Sequence, residues 1–233
     1  MLSQLVTAWQ LDRAAGAWLT IAVQIGFVSG AVLSALLTLA DRIGPRRLIF
    51  IGTLIASAAT GLLIMAAGLG IALPLRFATG FGLAFVYPPF VKLVASWFRA
   101  GRGTAMGTML GALTLGTAAP HIVRGLGAAD WRIVCIATSL MCLAGGLVAE
   151  FVLHDGPFPF PRAPFDPRRI TIVLRHRATR LVALAYLGHM WELYAMWNWF
   201  PAFARERLAA QGYSTAVASL YAGAAIGCGA FGC

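Results

Sequence analysis

Charge is what this chain has least of. Of its 233 residues only 11% are Asp, Glu, Lys or Arg, against 60% that are hydrophobic. Soluble domains carry roughly a quarter charged residues, so a water-soluble globule is excluded. Acidic residues are scarcest, 8 against 18 basic ones, which leaves a formal charge of +10. In a soluble protein that surplus would point to nucleic acid. In a membrane chain it gathers in cytoplasmic loops and sets orientation, so no nucleic-acid partner is expected.

Cysteine is scarce too: Cys135, Cys142, Cys228 and Cys233 all lie in apolar runs. Cys135 and Cys142 sit about 10 Å apart along a helix, too far for a disulfide, and no metal-ligand spacing appears, so packing roles are expected. Met1 to Trp9 lacks the basic stretch and apolar length of a signal peptide. The phosphate-binding pattern G-x-x-x-x-G-K-[ST] is missing, and no nucleophile is accompanied by a base and an orienter. Neither ATP, nor any cofactor, nor an enzymatic activity is expected.

What the chain does have is long apolar runs. A hydrocarbon core of about 30 Å needs about 20 apolar residues per helix. That rule predicts seven spans, at 17–39, 48–68, 71–94, 104–123, 131–153, 181–200 and 214–233. The runs are continuous rather than alternating, and open sheets cannot sit in lipid, so the expected fold is an all-α polytopic helix bundle. Arginines cluster in alternate connections: Arg42, Arg46 and Arg47, then Arg99 and Arg102, then Arg162 through Arg180. By the positive-inside rule these loops are cytoplasmic, which places Met1 outside. The multi-pass chain is expected in the cytoplasmic membrane. An outside N-terminus without a signal suggests a missing upstream helix, and the last apolar run stops at Cys233 with no flanking loop. Residues 154–180 hold Pro157, Pro159, Pro161, Pro164 and Pro167 and then a basic run, and read as an extended linker between two membrane domains.

The first arginine-rich loop reads Leu39-Ala40-Asp41-Arg42-Ile43-Gly44-Pro45-Arg46-Arg47. Gly44 allows a tight turn, Asp41 can offset the arginines or accept from a helix N-terminus, and the arginines hold the loop at the headgroups. The stretch resembles the loop signature joining the second and third helices of major facilitator transporters. That signature opens with glycine where this chain has Leu37. Two spans later, Arg76 is followed at four and six residues by Gly80 and Gly82, which looks like the same family's fourth-helix motif. Thr79 stands where the family often has glutamine.

The resemblance implies a fragment running from the second to the eighth of twelve helices. Residues 1–16 would end a missing first helix, 17–153 would be the N-terminal half, 154–180 the linker between halves and 181–233 the start of the C-terminal half. It also implies transport of a small-molecule substrate across the lipid bilayer by alternating access, coupled to protons, and the forked charge of Arg76 would suit an organic or inorganic anion. A non-transporting sensor on the same fold, or the remnant of a truncated transporter, is the alternative.

Chemistry at membrane depth concentrates in two places. Arg76 lies about five residues into its span; it either snorkels to the headgroups or faces a cavity, and the resemblance implies a role in substrate or proton coupling. Tyr87 falls on the same helical face and can line the same space, or sit at the interface beside Pro88 and Pro89. The span 181–200 is the most polar and aromatic. Glu192 sits close to the bilayer centre, where an ionised carboxylate is disfavoured, so it is a natural proton carrier. His189 and Tyr186 precede it at three-residue steps, and the three cover an arc of about 120°. Packing of a Glu-His pair is the plainer alternative. Gly26, Gly30, Ser34 and Thr38, and also Gly103, Gly107 and Gly111, recur every four residues and read as helix-packing stripes.

Overall fold

The computed structural model describes residues 5, 9–126, 130–158 and 175–232. The prolines and arginines expected to form most of the linker, Pro159 through Pro167 and Arg162 through Arg169, lie outside the described residues.

Helix α1 (Arg13–Leu36) starts four residues earlier than expected because Asp12 caps it, its carboxylate accepting from Ala15 N at 2.6 Å. Thr38, in the left-handed region at φ 48°, and Gly44, at φ 91°, bracket the single turn α2 (Leu39–Arg42). Pro45 then opens α3 (Pro45–Leu62), where its fixed φ and missing N–H cost nothing. A 3-10 turn carries α3 on to Met65.

The span expected over 71–94 is one membrane crossing made of two helices, α4 (Leu69–Leu83) and α5 (Tyr87–Trp97). The cause is Pro88-Pro89. Neither has an N–H to return to Ala84 or Phe85, and Pro88 disfavours α geometry at Tyr87. The ladder tightens instead to Phe85 N–Gly82 O and Val86 N–Leu83 O, both 3.0 Å, and restarts at Phe90 N–Val86 O.

Helix α6 (Arg102–Gly125), α7 (Trp131–Phe151), α8 (Arg177–Ala210) and α9 (Thr215–Cys228) follow among the described residues, with a short 3-10 turn to Gly232. No strand occurs among the described residues. Among the described residues, five crossings are both long and apolar enough for a membrane: α1, α3 with its 3-10 turn, α4–α5, α7, and α9 with its turn. The other two expected spans, α6 and α8, have the length but are more polar. Helix α8 has 34 residues, about 51 Å against a core of about 30 Å. It overruns the expected 181–200 at both ends and passes through Pro201 without stopping. Lost backbone bonds at an interior proline are tolerated in membrane helices.

The chain forms two compact units, residues 1–107 with 128–163 and residues 108–127 with 164–233. In the first, α4 packs against both α1 and α3, and α3 packs against α7. One apolar cluster, Leu19, Leu63, Ala66, Ala72, Trp131 and Cys135 with Leu5, closes the end away from the Asp41 loop. Trp9 stands edge-on to Trp131 there, ring centroids 6.0 Å apart. A second cluster of Ile49, Leu93 and Ala149 closes the arginine-rich end. In the second unit α8 and α9 pack together, and Gly223 and Gly227 of α9 face Ile122 and Ala118 of α6.

Candidate functional site

Gly80 and Gly82 show why glycine recurs in α4. Two residues apart on a helix is about 200°, so they face opposite sides. A Cβ on Gly80 would overlap the Val23 carbonyl of α1, and one on Gly82 would lie 2.6 Å from Gly52 O and 2.8 Å from Ala56 N of α3. Helix α4 is thus clasped on both flanks at backbone contact. Gly26 and Gly30 of α1 meet the same face from the other side: a Cβ on Gly26 would overlap Phe77 O, and one on Gly30 would lie 2.7 Å from Phe81 O. Gly103, by contrast, faces open space.

Arg76 is half-buried, one turn before Gly80, and its Nε donates to Leu19 O of α1 at 3.1 Å. Thr79 Oγ1 returns to Leu75 O at 2.9 Å and lies 3.4 Å from Thr60 Oγ1 of α3. Tyr87 does not continue the Arg76 face along one helix. The tightened backbone at 84–86 intervenes, so a register counted at 3.6 residues per turn does not carry across, and Tyr87 is the first residue of α5.

At the arginine-rich end, Asp41 pairs with Lys92 of α5 rather than with the arginines of its own loop. Arg46 Nη1 donates to Leu153 O, just past α7, at 2.6 Å. Arg42 and Arg47 are exposed. Leu37, standing where the motif has glycine, is 41% exposed, so no close helix approach occurs there. Beyond α7 the chain folds back on the end of α5. Trp97 Nε1 donates to His154 O at 3.0 Å, Gly156 N to Ser96 Oγ at 3.1 Å, and Arg99 covers the Phe158 ring at 4.5 Å.

Sequence reasoning passed over Lys92, although it is the single lysine of the chain and sits in an apolar stretch. It also passed over the clasp between α3 and α7. Ser57 Oγ donates to Ser139 O at 2.9 Å and Ser139 Oγ to Ser57 O at 2.7 Å. Nothing in a single sequence pairs two serines 82 positions apart.

The second unit holds the other candidates. Tyr186, His189 and Glu192 share a strip of α8 and are all exposed, uncovered by the rest of the unit. Glu192 lies 15 residues past Arg177 and 18 short of Ala210, about 23 and 27 Å from the two ends. The ion pairs among the described residues, Lys92–Asp41 and Arg132–Asp130, do not include it. Trp191, beside it, is 82% exposed. Helix α8 meets α9 elsewhere, through Phe200 and Tyr221, ring centroids 6.1 Å apart. No group of three His, Cys, Asp or Glu capable of holding a metal occurs among the described residues.

Among the described residues, five crossings long and apolar enough for a membrane and no strand define a multi-pass helical membrane protein. The family model of the major facilitator superfamily matches residues 1–233, and the chain belongs to that superfamily. It is 26% identical over 188 residues to a protein of Cupriavidus necator described as a probable sulfoacetate transporter. The match covers 72% of this chain and 44% of that protein, so the chain spans less than half of that relative's length.

Proposed function

We propose that the chain is part of a secondary transporter that moves a small anionic solute across the cytoplasmic membrane by alternating access, coupled to protons. It would supply the second to eighth helices of the complete carrier, with residues 17–153 in one half and 181–233 beginning the other. The observation that carries the reading is Glu192, a carboxylate mid-way along a 34-residue helix, on a strip with His189 and Tyr186 and uncovered by its own unit. A charged group at that depth is costly against lipid, so such residues face a bundle interior or a water-filled path. Glu192 would carry the proton, with His189 one turn away to share it.

Arg76 would meet the solute. With Nε engaged by Leu19 O, the Nη pair can form the two parallel bonds that suit a carboxylate or sulfonate. The relative's description as a sulfoacetate transporter supports an anion of this kind. The test is uptake of sulfoacetate into proteoliposomes holding the complete carrier, with and without an imposed pH gradient. Stimulation by the gradient is expected in the wild type and absent in Glu192→Gln; equal stimulation in both would remove the coupling role.

A further inference from the structure

Helix α5 is a half-helix whose two ends are held very differently. At its start the backbone tightens over Ala84 to Val86, and Pro88 and Pro89 return no N–H to the preceding turn. The last turns of α4, just before that break, are clasped at backbone contact by α1 and α3. Past the break, α5 packs on α3 and carries the Lys92–Asp41 pair, which is partly exposed and therefore weak. The backbone that reaches α5 most closely is that of Gly156, in the segment after α7: a Cβ there would overlap Ser96 C and O.

That segment fits the far end of α5 bond by bond. Helix α5 stops at Trp97, and Phe98 is extended at φ −122° and ψ 130°. Ser96 O is thus among the last carbonyls, which a helix cannot satisfy itself. Phe158 N donates to it at 2.9 Å. Ser96 Oγ donates to Leu93 O at 2.6 Å and accepts from Gly156 N at 3.1 Å. Trp97 Nε1 reaches His154 O, and Arg99 covers the Phe158 ring. The near end of the segment is anchored as well: Leu153 packs against the cluster of Ile49, Leu93 and Ala149, and its carbonyl accepts from Arg46 Nη1. Residues 153–158 therefore cap α5 from about 60 positions away, and the seat admits glycine alone at 156.

A half-helix with a break at one end and a separable cap at the other is built to swing, since hinges are a few element-terminal residues that absorb the change in backbone angle. We propose that residues 153–158 are a latch on α5. Seated, the latch holds α5 against α3; unseated, it lets α5 turn about the break at 84–86 and uncovers Leu93 at the arginine-rich end of the first unit. The device uses neither Arg76 nor Glu192, so it stands apart from the solute and proton roles above.

The test is maleimide labelling of Leu93→Cys, read peptide by peptide by mass spectrometry, in the full 233-residue chain in nanodiscs of phosphatidylcholine. Leu93 is 3% exposed, so labelling is expected to be slow with Gly156 in place and about tenfold faster or more with Gly156→Val, as for a local opening. Cys142, whose Sγ points to Thr53 O across the α3–α7 seam at 3.7 Å, should react at one rate in both. Equal rates at Leu93→Cys with and without Gly156→Val overturn the latch. Acceleration of Cys142 by the same factor overturns it too, because the whole unit has then loosened. Should Gly156→Val fail to fold, hydrogen exchange in the unaltered chain decides. The amides of Gly156 and Phe158 should exchange at least about tenfold more slowly than an unstructured peptide, and exchange at the unstructured rate refutes a seated latch.

Discussion

In α4 the arginine is bonded to the backbone of α1, and the glycines after it are clasped by α1 and α3. In α8 the carboxylate, imidazole and phenol lie uncovered along a helix that touches its unit mainly near α9. Both helices carry polar side chains away from their ends, yet only one is held by its neighbours on both flanks. The difference separates two duties that a motif alone conflates. The Arg76 to Gly82 pattern builds the bundle whatever else Arg76 does, whereas nothing in its unit requires Glu192 to be a carboxylate.

That contrast can be broken by substitution. Gly80→Val has the largest expected effect, because its Cβ would enter the Val23 carbonyl and neither backbone can yield without parting α1 from α4. Overpacking typically costs about 1 to 3 kcal/mol, with a backbone-to-backbone clash at the top of that range, and the thermal midpoint of the purified protein should fall sharply or the protein should fail to accumulate. Ser57→Ala comes next. It removes one partner of a reciprocal pair and leaves the other's groups half-satisfied, a loss of about 1 to 2 kcal/mol that the same melting experiment reads. The Asp41–Lys92 pair is partly exposed. A double-mutant cycle with Asp41→Asn and Lys92→Gln should return a coupling of about 1 kcal/mol or less, shrinking with added salt. Smallest is Gly188→Ala on α8, where a Cβ meets nothing within 4 Å. The midpoint should hold or rise slightly, since alanine favours helix over glycine by about 1 kcal/mol.

Much of this was legible from apolar runs alone, because a span of about 20 residues must satisfy every backbone group internally and so must be helical. The helices fall where the runs do, within a few residues at most ends. The break before Tyr87 was written in Pro88-Pro89, but a run of hydropathy does not register a lost N–H, so the face shared by Arg76 and Tyr87 was drawn across it. The extra length of α8 was hidden by Arg205, Glu206 and Arg207, which read as a loop although charged residues lengthen a helix beyond the core without cost. The partner of Asp41 could not be read at all, since the choice between Lys92 and the nearby arginines depends on how α5 restarts. The strip of Tyr186, His189 and Glu192 was legible because helical spacing within one unbroken element needs no tertiary knowledge.

The most direct test joins stability to function in a single preparation. Glu192→Gln in the complete carrier should keep the wild-type thermal midpoint, because its unit leaves the side chain uncovered, and should lose stimulation of sulfoacetate uptake by a pH gradient. A lowered midpoint with gradient-driven uptake intact would contradict the account, for it would make Glu192 a packing residue and return the chemistry of α8 to structure.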